Sequence, residues 1–349
     1  APLPSRSHAG SRPGAAAGGG VHHAAVRNGR AGQRLLRLRR PRSAWLPTAS
    51  PALPISLPLR HVARPVLAQH WPGLEIHTDI RELNGEQYAG NVEVVTGGFP
   101  CQPFSKIGMR QGFKHKTQGN LFFNILEILE NKQPISFILE NVSGLMTHKS
   151  EDKKTIDIML SKLEDLEYEV HYKTLNAADF GVPQIRRRVF IVGFKKKFFP
   201  SYTKFKFPKG SKEKVFINKF IETHYEGYNI SKKLQKSYIY KLDDGKPEII
   251  DRKSRIQVKT LVSSYHKIQR ITGTFVKDGK TGLRLLSENE CKAIMGFPKN
   301  FKFPVSRTQM YRQIGNAVVI PVIKAIAKEV FKVLNQHKLI HEEKYKKSA

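Results

Sequence analysis

The amino-acid sequence predicts an α/β fold, in which helices cover a parallel sheet and a second, smaller domain is strongly basic. Between residues 92 and 192, short apolar runs alternate with segments of helical apolar spacing, the pattern of a helix-covered parallel sheet. Residues 195–276, called the basic segment below, lose this alternation and are rich in Lys, Tyr, Ser and Gly. The 349 residues are 40% hydrophobic, enough for a sizeable core, and their number fits roughly two domains.

The predicted elements follow in chain order. Apolar residues at helical spacing predict helices at 66–71, 121–129, 156–166 and 320–333. Short runs rich in Val, Ile, Tyr and Phe predict strands at 92–96, 135–139, 168–172 and 189–192. The last helix is apolar on one face, so we expect it to pack back on the sheet.

The balance of charge predicts a polyanionic partner. The chain carries 60 Lys and Arg residues against 29 Asp and Glu, a formal net charge of +31, and nucleic acid is the simplest partner for such a chain. No apolar run approaches the roughly 18 residues of a membrane span, which excludes an integral membrane protein. The two cysteines, Cys101 and Cys291, exclude a disulfide framework and a four-thiolate zinc site. No metal site is predicted, and a reducing, intracellular setting fits best.

Residues 1–60 differ in composition from the rest of the chain. They are rich in Ala, Pro, Gly, Ser and Arg; the first acidic residue is Glu75 and the first lysine is Lys106. Three interpretations compete: a disordered basic arm that touches nucleic acid, an organelle transit peptide, and non-native sequence from a frame error or a fusion. The third is favoured, because the chain lacks an initiator Met and its residue usage changes abruptly near His61.

The first candidate for chemistry is Cys101, in the run Gly97-Gly-Phe-Pro-Cys-Gln-Pro-Phe-Ser105. It follows a predicted strand, and ligands of open α/β sheets bind beyond the carboxyl ends of strands. The flanking prolines stiffen the loop, and nearby positive groups or a helix start would favour the nucleophilic thiolate. The alternative, a small buried hydrophobe, is preferred for Cys291, which lies in a helical run.

Two further segments carry polar residues at the ends of predicted strands. An apolar run ends in Glu140 and Asn141, where partial burial would raise the pKa of the carboxyl and let it carry a proton near neutrality. In Gln184-Ile-Arg-Arg-Arg188, alternation points Arg186 and Arg188 to one side, which suits a phosphate or an anionic centre. An ordinary turn and a solvated surface are the respective alternatives.

Taken together, these segments resemble the cytosine-5 DNA methyltransferases of bacterial restriction–modification systems. The resemblance covers roughly residues 66–333, and five motifs in the right order make it specific. The matching motifs are Pro100-Cys-Gln-Pro103, Glu140-Asn-Val142, Gln184-x-Arg186-x-Arg188, Arg284-x-Leu-Ser-x-x-Glu290 with Gly296-Phe-Pro298, and Gly315-Asn-Ala-Val318. It implies an S-adenosylmethionine-dependent methyltransferase sheet of Rossmann-like type. It also implies that the basic segment is a small target-recognition domain, in which Thr260-Leu261 matches a Thr-Leu/Val pair of the family.

The resemblance implies a chemical role for four residues. The target cytosine is flipped out of the duplex, and Cys101 attacks its C6. Glu140 bonds to N3 and the exocyclic amine, and Arg188, supported by Arg186, stabilises the anionic intermediate. C5 then takes the methyl group from the cofactor, S-adenosyl-L-methionine.

The resemblance also implies two sets of contacts. The loop 105–118 is expected to close over the DNA backbone. The DNA-binding residues are Ser105, Lys106, Arg110, Gln184, Thr260 and Leu261. The cofactor-binding residues are Asp79, Ile80, Pro100, Leu121, Asn316 and Val318.

The sequence departs from the family at its beginning. The family opens with a strand, a Phe-x-Gly-x-Gly turn that holds the cofactor and an acidic residue for the ribose, none of which occurs in residues 1–65. Gly18-Gly-Gly20 lacks the strand and the Phe. Two alternatives therefore stay open: a DNA-binding remnant with impaired catalysis, and a cytosine-5 methyltransferase that acts on transfer RNA.

These interpretations divide the chain into five parts. A disordered or non-native basic segment (1–60) precedes a catalytic α/β domain (61–194), a target-recognition domain (195–276), a return to the catalytic domain (277–335) and a basic tail (336–349). We expect a monomer that binds double-stranded DNA and no membrane, with a cognate restriction endonuclease that acts separately. The expected location is the bacterial cytoplasm, in association with DNA.

Overall fold

The computed structural model describes residues 60–73, 76, 80, 92–99, 121–150, 153–199 and 201–339. The interpretations of residues 1–59, and most of the predicted basic tail, lie outside these described residues. Across the described residues, no helix is both long enough and apolar enough to cross a membrane.

Strands and helices alternate in the first half of the described chain, as predicted. The described strands are β1 (Val94–Gly98), β2 (Ser136–Val142), β3 (Lys149–Ser150), β4 (Lys153–Lys154), β5 (Tyr168–Asn176), β6 (Arg187–Lys195), β7 (Glu248–Ile250) and β8 (Thr274–Val276). The described helices of two turns or more are α1 (Arg60–His70), α2 (Leu121–Lys132), α3 (Thr155–Asp165), α4 (Glu288–Met295), α5 (Arg307–Asn316) and α6 (Ile320–Gln336). Each of the eight helices and strands predicted above has a counterpart here, with ends displaced by up to six residues. A further strand predicted just before Thr78 lies mostly outside the described residues.

The central sheet is mixed, so the expectation of a wholly parallel sheet is wrong. Among the described strands the order is β1-β2-β6-β5, and β1 pairs with β2 in parallel. Strand β6 is antiparallel to both of its neighbours. The reason is the connection 177–186 between β5 and β6, which holds only a 3₁₀ turn at Ala177–Phe180. A parallel return needs a crossover of a dozen or more residues, usually a helix, so the chain turns back beside itself.

Alternation along the strands gives the sheet two apolar faces. One face, which includes Phe137 and Ile191, packs against the buried residues of α2 and α3. The other face, which includes Ile138 and Val192, packs against α4, α5, α6 and the basic segment. Cys291 belongs to this second core and is fully buried, so its interpretation as a core residue is confirmed.

The basic segment has little regular structure but is part of this core. Phe205, Ile217, Ile250 and Val258 are buried in the same apolar cluster as the sheet residues, and all the described residues belong to one compact unit. The predicted division into a catalytic and a recognition domain remains a prediction about function.

The tightest contact within the sheet predicts a stability difference. Gly193 of β6 lies opposite Phe137 of β2, and a Cβ at this position would lie 2.1 Å from the Phe137 ring. We expect Gly193→Ala to destabilise the protein by about 1–3 kcal/mol, because overpacking forces the ring or the strand to move. Denaturant unfolding measures the effect. Gly144→Ala is the matched control: a Cβ there has nothing within 4 Å, so a comparable loss in both variants would contradict the steric explanation.

Candidate active site

The carboxyl group of Glu140 lies near the end of β2, on the sheet face that carries the basic segment. Glu140 is flanked by Gly98 of β1 and Phe190 of β6. Arg188 is a diagonal neighbour on β6, since it lies opposite Val142, and such neighbours are within reach of long side chains. Its Nε lies 3.0 Å from Glu140 Oε1, and only 18% and 15% of the two side chains are exposed.

Burial and the neighbouring cations act on Glu140 in opposite directions. Burial raises the pKa of the Glu140 carboxyl, and the charges of Arg188 and Arg186 lower it without cancelling that effect. Burial likewise lowers the pKa of Arg188, and the charge of Glu140 opposes this. The carboxyl is therefore held in a fixed position with an enhanced affinity for a proton, as a group that gives or takes a proton requires.

Arg186 lies on the same side as Arg188, as alternation predicts. Its two terminal nitrogens are bonded to backbone carbonyls, and its buried Nε has no hydrogen-bond partner among the described residues. Nη1 donates to the Leu261 carbonyl at 3.0 Å, and Nη2 donates to the carbonyls of Gly315 and Ala317, also at 3.0 Å. Burial, and secondly the charge of Arg188, lowers the pKa of Arg186 to about 10. Arg186 therefore holds three backbone segments together, and its expected support of Arg188 at an anionic intermediate remains a prediction.

Gln184 is bonded within the core. It is fully buried; its Nε2 donates to the Ile294 carbonyl at 3.1 Å and its Oε1 accepts from Leu261 N at 2.8 Å. Its expected contact with DNA remains a prediction. The Leu261 side chain is buried as well, whereas the half-buried Thr260 donates its hydroxyl to the Ile185 carbonyl at 2.8 Å.

A close backbone approach lets these contacts form. A Cβ on Gly315 would lie 2.4 Å from Ser263 N and 2.5 Å from the Val262 carbonyl carbon, so only glycine fits here without displacement. The end of α5 thus packs directly on the stretch that follows Leu261. This explains in physical terms why the first residue of the Gly-Asn-Ala-Val motif is glycine.

Sequence reasoning matched Arg284 and Glu290 to a motif but assigned them no role. Both side chains are fully buried; Arg284 donates from Nη1 and Nη2 to the Glu290 carboxylate at 2.9 Å, and Asp278 accepts from its Nε at 3.0 Å. Glu290 also completes the capping box that begins α4 at Ser287. The ion pair therefore ties residues beyond β8 to the first turn of α4. Arg284 and Glu290 are six residues apart and do not share one helix or strand, so the periodic pattern of the sequence does not predict the pair.

The described residues of the expected cofactor site fall into two groups. Ile80 is buried and Leu121, the first residue of α2, packs against the same apolar cluster. Val318 packs against the other core, and Asn316, the last residue of α5, is exposed. The remaining expected site residues lie outside the described residues: Asp79, Pro100, Cys101, Ser105, Lys106 and Arg110.

Comparison with known proteins defines the class of protein. The family model of the C-5 cytosine-specific DNA methylases matches residues 61–332, and the chain belongs to this family. Among solved structures, an Entamoeba histolytica methyltransferase, EhMeth, has a TM-score of 0.58 at 17% identity and covers 78% of this chain and 88% of its own. The Dnmt2 methyltransferase of S. pombe has a TM-score of 0.58 at 19% identity and covers 78% and 87%. At these identities the structures support the fold alone.

Two relatives are much more similar in sequence. The Type II methyltransferase M.MspI of Moraxella sp is 52% identical over 247 residues, which are 70% of this chain and 58% of the relative. The Type II methyltransferase M.BsuFI of Bacillus subtilis is 53% identical over 256 residues, which are 73% and 61%. The chain thus spans about three fifths of the length of these two relatives.

The electrostatics of the site predict a change in the titration of Glu140. Arg188→Ala removes the main positive charge that lowers the pKa of Glu140, so we expect that pKa to rise further and the carboxyl to stay protonated to higher pH. Carbon-13 NMR titration of labelled Glu carboxyls measures this directly. Arg187→Ala is the control, because Arg187 is exposed on the other side of the strand and its loss should leave the titration unchanged. An unchanged or lower pKa of Glu140 in Arg188→Ala would show that Arg188 does not set it.

Proposed function

We propose that this chain is a DNA (cytosine-5)-methyltransferase, which transfers a methyl group from S-adenosyl-L-methionine to C5 of a cytosine flipped out of a specific duplex sequence. The observation that carries the proposal is the buried pair of Glu140 and Arg188 beside Gly98. Cys101 follows Gly98 by three residues, so the chain holds their Cα atoms within about 11 Å of each other. Chain connectivity therefore keeps the proposed nucleophile near the strand that pairs with Glu140.

The chemistry begins at Cys101. Attack of its thiolate on C6 forms a sulfur–carbon bond, and the electron pair of the C5–C6 double bond moves into the ring and makes C5 nucleophilic. After C5 has taken the methyl group, loss of the C5 proton to a base returns the electron pair to the C5–C6 bond and expels Cys101. Flipping is required because both faces of the base are stacked within the duplex.

Glu140 and Arg188 act on the opposite edge of the base. A protonated Glu140 donates to N3 while its other oxygen accepts from the exocyclic amine, which neutralises the charge that the attack of Cys101 drives into the ring. Arg188 fixes the carboxyl through its Nε and holds its charge next to the same centre. Arg186 serves as a positioning residue, because its guanidinium is engaged with three carbonyls.

An apolar cluster supports the assignment of part of the cofactor site. Ile80, Leu121 and the neighbouring Phe99 belong to one apolar cluster, and apolar walls with a few polar groups are typical of such sites. When bound, S-adenosyl-L-methionine supplies an electrophilic methyl group on a sulfonium sulfur. The residues assigned to its binding are Asp79, Ile80, Pro100, Leu121, Asn316 and Val318.

The DNA contacts rest on charge and on sequence position. A net charge of +31 suits the phosphate backbone, and we assign backbone contacts to Ser105, Lys106 and Arg110 and a contact from the basic segment to Thr260. We include in the proposal a monomer that works beside DNA in the cytoplasm, separately from a cognate endonuclease.

The nucleophile gives the sharpest test of the proposal. In the presence of S-adenosyl-L-methionine, DNA containing 5-fluorocytosine should trap the chain as a covalent adduct, because once C5 has taken the methyl group fluorine cannot leave C5 as the proton does. We expect Cys101→Ser to abolish the adduct and methyl transfer and to leave the fold intact, since the change is nearly isosteric. Denaturing electrophoresis with labelled DNA detects the adduct.

Cys291→Ala is the matched control for this experiment. Cys291 is fully buried in α4, so this variant should still form the adduct. An adduct from Cys101→Ser would mean that the nucleophile is wrongly assigned. A parallel incubation with transfer RNA tests the RNA alternative, which predicts the adduct on RNA in place of DNA.

Binding of the cofactor separates the enzyme from a DNA-binding remnant. The family's Phe-x-Gly-x-Gly turn does not occur in residues 1–65, so we expect weak but saturable binding of S-adenosyl-L-methionine and slow turnover. Isothermal titration calorimetry of the purified chain measures this affinity. Specific DNA binding without any cofactor binding would favour the remnant.

A further inference from the structure

The loop 264–273 is connected to the start of β6, the strand that carries Arg188, through the residues that precede the loop. It follows Thr260 and Leu261, which bond to residues 184–186 at the entrance to β6. Gly273 N donates to the Gln269 carbonyl at 2.8 Å and closes the loop. At its base, the buried Tyr265 donates its hydroxyl to the Thr274 carbonyl and accepts from Leu286 N. The loop is therefore held rigidly on the core.

The tip of this loop is strained. Ile268 has a φ of +52°, in the left-handed region that a β-branched residue rarely occupies. Such strain costs on the order of 1–3 kcal/mol and is found preferentially at functional sites. Gln269, the next residue, is exposed.

The Gln269 amide is oriented by two hydroxyl groups. Ser264 Oγ donates to Gln269 Oε1 at 3.2 Å and Thr272 Oγ1 donates to the same oxygen at 3.1 Å. A carbonyl oxygen has two lone pairs, so both are used within the loop. The Nε2 group, with its two hydrogens, is the part of the side chain left to bind a partner.

The surroundings of Gln269 attract a polyanion. Residues 252–277 contain seven Lys and Arg and not one Asp or Glu. One of the seven, Arg270, is engaged with Asp244 and with the Leu242 carbonyl, whereas Lys259 and Lys267 are exposed. An exposed amide on a rigid loop in such a field is well suited to reading a base edge.

We propose that Gln269 is a specificity-determining residue that reads a guanine of the recognised duplex, an inference that rests on the proposed function. In the major groove guanine presents two acceptors, N7 and O6, whereas adenine presents the N7 acceptor and the N6 donor. A free glutamine suits adenine, because its oxygen accepts and its nitrogen donates. Since Oε1 is already occupied, Gln269 has only donors to offer, and guanine is the base that uses both.

A binding selection tests this without methyl transfer. The full chain is incubated with a duplex library of randomised sequence, and the bound fraction is sequenced. We expect a position with a strong requirement for guanine, at which Gln269→Ala lowers the enrichment of guanine by roughly 10- to 100-fold. The double variant Ser264→Ala/Thr272→Val frees Oε1 and should admit adenine at that same position.

Lys267→Ala is the matched control from the same loop. Loss of a phosphate contact should weaken binding to all sequences evenly and reduce the slope of log K against log salt concentration by about 1, with base preference unchanged. If Gln269→Ala keeps the wild-type preference at every position, the inference fails and the proposed function stands. If the wild-type chain selects no sequence and forms no 5-fluorocytosine adduct, both fail.

Discussion

The guanidinium of Arg186 is the contact on which the arrangement of the site depends. It donates to carbonyls of Leu261, Gly315 and Ala317 and so fixes the basic segment and the end of α5 to the entrance of β6. The three carbonyls converge because Gly315 has no Cβ and its backbone meets Ser263 directly. Removing a buried charged donor of this kind would leave several acceptors unpaired, which is costlier than the loss of an average hydrogen bond.

Arg188, two residues after Arg186, meets Glu140. Because Arg186 directly precedes β6 and Arg188 lies at its start, the part of the chain that positions the basic segment also positions the carboxyl that we assign to the base. The two cations also moderate the effect of burial on the pKa of Glu140. The chemistry at the sheet edge and the placement of the proposed recognition surface are therefore coupled through one strand, and a change at either arginine should affect both.

Most of the helices and strands could be predicted from the sequence, because the spacing of apolar residues within each element shows which of its faces is buried. The helix Leu121–Lys132 and the strand Ser136–Val142 are clear in the pattern of apolar residues. The direction of β6 could not be predicted from its own residues, since a buried parallel strand and a buried antiparallel strand share one apolar signature. The length of the connection 177–186 decides it. The basic segment shows no periodicity, yet Ile217 and Val258 are core residues, because scattered apolar side chains fill the second core from an irregular chain.

The sequence by itself determined the family, the α/β class and the candidates Cys101, Glu140 and Arg188, because motifs and their order are linear information. Only the tertiary structure decided which polar residues of those motifs are free. From the sequence alone, Gln184 and Arg186 appear as available to a ligand as Arg188. In the fold, the Gln184 amide and the two terminal nitrogens of Arg186 are bonded to neighbouring backbone groups. Gln269 has no signal in the sequence, since its orientation depends on hydroxyls five residues before and three residues after it, brought together by the fold of the loop. Which donors and acceptors remain for a partner is set by contacts in space, so the folded chain alone defines it.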